Sequence, residues 1–123
     1  MNWKLEIYRA FFLAFGIFEV IANTRYLFVR DGIKLARKQH QELPRTATSN
    51  QYKAKVICML ISGICFFLTG LYSYIQHGVN NTYYSIMLIC FAIYAVIEGV
   101  YYRYWKTFGF STISVLFLLI FLI

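Results

Sequence analysis

Four side chains could do chemistry because each lies inside an otherwise apolar run: Glu19, Asn23, Arg25 and Glu98. Glu19 and Asn23 are four residues apart, so on a helix they share a face. Polar groups deep in lipid are costly and normally face protein or a wet cavity. Two chemistries fit. A carboxylate can hold helices together through hydrogen bonds or ion pairs. Alternatively, a carboxyl at mid-depth can take up and release a proton or cation along a transport path. Helical rise puts Glu19 ~12 Å into a span that begins at Phe11, and Arg25 ~21 Å in. Glu98, fourteen residues after Tyr84, lies ~21 Å into a span of the same direction. Arg25 and Glu98 are therefore expected to form an ion pair, and Glu19 to hydrogen-bond with Asn23 or Tyr26.

Other chemistry has little support. His40 and His77 fall in different loops, expected on opposite sides of a membrane. No serine sits in a nucleophile motif, and no carboxylates cluster as metal ligands. Cys58, Cys65 and Cys90 match neither a CxxC nor a zinc spacing and read as packing residues. No catalytic residue, metal or cofactor is expected, and the chain does not read as an enzyme.

The elements that must carry these residues are membrane helices. Of the 123 residues, 60% are hydrophobic and 20% aromatic, and the mean hydropathy is +0.58. That composition exceeds soluble norms and leaves room for about four spans of roughly 20 residues. The expected fold is all-α: a single four-helix transmembrane domain with spans at about 11–29, 56–75, 83–102 and 106–123. Glu19 within the first apolar run argues against reading that run as a cleaved signal peptide.

The 30–55 stretch is the long polar segment. It holds Arg30, Lys34, Arg37, Lys38, Arg45, Lys53 and Lys55 against Asp31 and Glu42. Residues 33–38 are good helix formers and are expected to extend the first helix, with Pro44 ending it. A second helix should restart near Gln51 or Tyr52. Arg30, Lys34, Arg37 and Lys38 are candidates for the lipid-headgroup layer, as are Tyr104, Trp105 and Lys106 after the third span. In the second span Ser62, Cys65, Thr69 and Ser73 share one helical face, flanked by Gly63 and Gly70. Small and hydroxylated residues suit close helix contact, so this face is the expected packing seam.

The net charge of +7 gathers beside apolar spans. It fits retention on the cytoplasmic side and contact with anionic lipid rather than nucleic acid. A recurring pattern, which either duplication or chance similarity between apolar helices would produce, is also present. Phe15-Gly16-Ile17-Phe18 with Val20-Ile21 matches Phe91-Ala92-Ile93-Tyr94 with Val96-Ile97, as two parallel two-helix repeats would give.

One local motif carries a family resemblance. Glu19-Val20-Ile21 followed by Thr24 resembles the first-helix motif of small multidrug resistance transporters, and Phe91-Ala92-Ile93-Tyr94 is similar to their third-helix aromatic segment. The resemblance implies a shared proton and substrate site at Glu19 and a substrate-contacting aromatic at Tyr94. The chain departs from that pattern at Leu27, where the family has lysine, in its long basic first loop, and in lacking a glycine-rich third helix.

The expected function is a small non-enzymatic integral membrane protein. It would assemble with itself as a homo-oligomer, or support, protect or regulate a partner membrane protein. The alternative is a small proton-coupled transporter or channel built on Glu19. The expected site is a bacterial plasma membrane, with the 30–55 loop cytoplasmic and both termini outside. The charge asymmetry gives a direct test, since the 76–82 turn has no Lys or Arg. In a background without the native cysteines, Asn80→Cys should react with an impermeant thiol reagent applied to intact cells. Ser49→Cys should stay protected, and the opposite pattern would invert the topology.

Overall fold

The computed structural model describes residues 2–123. They form five helices: α1 Trp3–Phe28, α2 Gly32–Gln39, α3 Ser49–Ile75, α4 Asn81–Tyr102 and α5 Trp105–Leu122, with no strand among the described residues. Helices α3, α4 and α5 are each long and apolar enough to cross a membrane. Three such helices in so short a chain point to a membrane protein. The 26-residue α1 is not among them, and it carries Lys4, Glu6, Arg9, Glu19 and Arg25.

Caps set the helix ends more sharply than composition does. Asn2 accepts a hydrogen bond from the Leu5 amide at the start of α1. Thr48 and Gln51 form a reciprocal capping box, so α3 begins at Ser49. This is earlier than a restart at Gln51 or Tyr52, and it places Lys55 inside the helix rather than in a loop. The expected extension of the first helix does not form either. Val29 is extended, Asp31 has φ 58°, and α2 starts afresh at Gly32. A Cβ at position 32 would lie 1.9 Å from the Tyr26 carbonyl oxygen, so only glycine permits this reversal. The short helix ends at Gln39, well before Pro44.

The helices pair as α1 with α3 and α4 with α5, both antiparallel. This is the pairing that two two-helix units would have, and also what consecutive helical hairpins give without duplication. At one end of the molecule the pairs meet in an aromatic core. Phe12 is fully buried between Phe66 and Tyr84, at ring separations of 4.5 and 4.1 Å. Tyr8 stacks on Phe117 at 4.2 Å. Such pairs add to the area they bury.

The seam of α3 is rotated from the expected face. Ser73 is buried, but Ser62, Cys65 and Thr69 are only half-buried, and the Thr69 hydroxyl donates to the Cys65 carbonyl of its own helix. Gly63, Phe66 and Gly70 face inward instead. Glycine lets backbones approach more closely than any hydroxylated residue. A Cβ at Gly16 would stand 2.4 Å from the Phe67 backbone nitrogen, and one at Gly70 would stand 2.8 Å from that of Leu13. Because both obstacles are backbone, Gly16→Ala should force the two helices apart. Its expected cost is roughly 1–3 kcal/mol, read as a lower unfolding temperature in detergent. Gly109→Ala, where a Cβ would meet nothing within 4 Å, should be neutral by comparison.

Candidate functional site

A buried polar cluster occupies the other end of the molecule, where α1, α2, α3, α4 and the 40–48 loop converge. Its centre is Lys55 on α3, whose side chain is completely buried. The ammonium lies 2.7 Å from Glu98 Oε1 on α4 and 2.9 Å from Glu42 Oε1 in the loop. It also sits 4.1 Å from the centroid of the Phe110 ring on α5. An ammonium removed from water needs both opposite charge and hydrogen-bond acceptors, and here two carboxylates and a ring face supply them. Glu98 is completed by the Tyr94 hydroxyl, which donates to Oε2 at 2.6 Å.

The network continues to α1 through the loop. Asn23 Nδ2 donates to Glu19 Oε2 at 2.6 Å and to the Glu19 carbonyl at 2.7 Å. Asn23 Oδ1 is thus left as an acceptor, and His40 Nε2 donates to it at 2.8 Å. His40 Nδ1 faces Glu42 Oε1 at 3.6 Å. The second Glu19 oxygen has a long contact, 3.4 Å from Gln39 Nε2. Tyr26 donates to Gln39 Oε1 rather than to Glu19. Glu19, Asn23 and His40 are all buried.

The loop is held in place by apolar anchoring. Leu43 and Ala47 are buried against Tyr52, and the Thr107 hydroxyl donates to the Glu42 carbonyl. Burial would raise the Glu42 pKa, but the adjacent His40 ring and the Lys55 ammonium outweigh it and bring it to about 2, from the ordinary 4.5. Ionised Glu42 therefore stabilises the fold above pH 4.5, and that contribution is lost as pH falls toward 2.

Beneath the cluster a cavity of about 750 Å³ has Glu19, His40 and Glu42 at its polar end. Phe11, Phe15, Phe66, Phe91 and Phe110 are among its walls. The volume is that of a ligand site. No group of three or more His, Cys, Asp or Glu residues among those described could hold a metal ion.

The expected ion pair between Arg25 and Glu98 does not form. Glu98 pairs with Lys55, while Arg25 is exposed in the last turn of α1 with no ion pair among the described residues. The cation that reaches Glu98 comes instead from α3, the helix whose backbone α1 approaches most closely. The expected bond between Glu19 and Asn23 is present. Of the interfacial candidates, Arg30, Lys34 and Lys38 are exposed, Arg37 lies 4.4 Å from the Tyr52 ring centroid, and Tyr104 is half-buried. Trp105 is 71% exposed, with the Lys106 ammonium 5.4 Å from its ring centroid.

Three members of the cluster, His40, Glu42 and Lys55, were not candidates in the sequence. The available signal was weak: a Gln39-His40-Gln41-Glu42 run just before Pro44, and a lysine abutting an apolar span.

The central ion cluster can be tested directly. Lys55→Met leaves Glu42 and Glu98 without their ammonium and should cost about 3–5 kcal/mol, measured by thermal unfolding in detergent. Adding Glu98→Leu should restore part of the loss, because Glu42 lies nearer the surface. Purely additive damage in the double variant would reject the coupling.

The chain matches no protein-family model, and no curated protein or solved structure gives a match either.

Proposed function

We propose that this chain is a non-enzymatic integral membrane protein in which α1 joins α3, α4 and α5 as a fourth span. On this reading it assembles with itself or supports, protects or regulates a partner membrane protein. The observation that carries the reading is the inside-out distribution of polarity. The polar groups of the cluster are bonded to one another within the fold. The outer faces instead present Ile61, Leu68, Ile93, Ile97, Ile113 and Ile120, all more than half exposed. Such a surface suits lipid or another apolar helix. The basic residues at the loop end favour a cytoplasmic position for that end, in a bacterial plasma membrane, with both termini opposite.

A second reading has one specific observation in its favour. Glu19 is a buried carboxyl that lines the cavity, and its contacts are amides rather than a cation. The cluster has three carboxylates, Glu19, Glu42 and Glu98, around one lysine. Two of these carboxylates, Glu19 and Glu42, line the cavity, and buried acid in such a space is a place to carry protons, so proton-coupled transport is the alternative.

Glu19→Gln separates the two. An amide keeps a donor and an acceptor for Asn23 and Gln39 but does not titrate in this range. A supporting or assembling protein should keep abundance, assembly and cellular phenotype in that variant, while Glu19→Ala should weaken assembly. Normal abundance with complete loss of phenotype, together with loss of flux driven by a pH gradient in liposomes, would select transport.

A further inference from the structure

A second opening lies beside the cavity, between the end of α1 and the amphipathic α2. This cleft, of about 390 Å³, is lined by Phe18, Arg25, Tyr26, Leu35, Lys38 and Gln39. Two of the six are cations and none is a carboxylate. Neither Arg25 nor Lys38 forms an ion pair among the described residues. Both are exposed, whereas Leu35 and Tyr26 beside them are half-buried. The cleft thus combines unneutralised positive charge with an apolar floor.

It also shares two walls, Phe18 and Gln39, with the aromatic cavity. Phe18 is 55% exposed and stands between the two spaces. Past it, Phe11 and Phe15 continue along α1 as cavity wall, their rings stacked 5.1 Å apart. A path therefore leads from two free cations, over one aromatic ring, into an apolar space of ligand size.

The geometry points to a binding site for an anionic phospholipid. The phosphate headgroup lies between Arg25 and Lys38, the first methylenes cross Phe18, and one acyl chain enters the Phe11 and Phe15 side of the cavity. Guanidinium and ammonium groups donate to phosphate oxygens, and basic side chains at a membrane surface favour anionic lipid. A free phosphate has the same headgroup chemistry but no use for Phe18, Leu35 or the adjoining cavity, so the lipid is the occupant assigned. The site rests on the reading of this chain as a membrane protein with α2 at the bilayer surface. Alkaline extraction of native membranes tests that reading separately, and release of the chain would refute it whatever lipid binds.

The test is native mass spectrometry of the full chain in detergent, titrated with dioctanoyl phosphatidylglycerol, dioctanoyl phosphatidylcholine or inorganic phosphate. The expected result is a saturable preference for the glycerol lipid. Arg25→Gln with Lys38→Gln should reduce that lipid roughly tenfold and leave the choline lipid unchanged, each single variant falling between. Phe18→Ala should weaken both lipids. Equal retention of the two lipids by the parent protein, or a preference that survives in the double variant, would overturn the proposal. Displacement of the glycerol lipid by phosphate alone, with no effect of Phe18→Ala, would overturn it in favour of a free anion. Because Lys38 is exposed on α2, the Lys38→Gln variant retains the test should the double variant fail to give a monodisperse protein.

Discussion

The Lys55 ammonium is the point on which the loop end of this structure depends. It is fully buried, and each of its partners comes from a different part of the chain: Glu42 from the loop, Glu98 from α4 and the Phe110 ring from α5. Charges in a low-dielectric interior interact strongly over several ångströms, so the three contacts cannot be relaxed independently. Moving α4 away uncovers Glu98, and lifting the loop uncovers Glu42. Either change leaves a charge unmatched where water is scarce. The apolar packing of α1 on α3 and of α4 on α5 makes two hairpins. The aromatic core joins the hairpins at one end, and the lysine joins them at the other.

This division explains the position of the cavity. Glycines bring α1 and α3 into backbone contact, and Ser111 brings α4 and α5 together by donating to the Ala95 carbonyl. Each hairpin is therefore tight. The hairpins meet through bulky rings at one end and a polar network at the other, and what lies between them is less filled. The cavity walls come from both hairpins, and its polar end is the underside of the loop.

Much of this could be read from the sequence, though not evenly. The apolar runs that became α3, α4 and α5 were clear because length and hydropathy are local properties. The bond between Glu19 and Asn23 was legible because spacing on one helix fixes it. Glu98 was rightly marked as needing a cation, but the partner was misassigned. Depth is one coordinate of a residue in a bundle and azimuth is another, and only the first follows from counting residues. The seam of α3 shifted for a related reason. A face of hydroxyls and a face of glycines lie side by side, and the glycines allow the shorter interhelical distance. His40 and Glu42 were missed because they lie in a loop, where nothing periodic marks burial. They are buried only because Leu43 and Ala47 anchor the loop on Tyr52.

The glycine contact between α1 and α3 also bears on biosynthesis. The residues that shelter α1 lie on a helix beginning at Ser49, so the ribosome makes them after α1 is complete. Until then the Glu19 side chain lacks the Gly63 surface against which its Cβ packs, and Asn23 lacks His40. If α1 is the fourth span proposed above, then emerging alone from a translocon it would present a carboxyl and an amide to lipid. It would partition poorly until α3 arrived. On the proposed four-span reading the close seam serves timing as well as packing: α1 would enter the bilayer most readily as half of a hairpin, with the chain between the two helices, α2 at its start, spanning the interval.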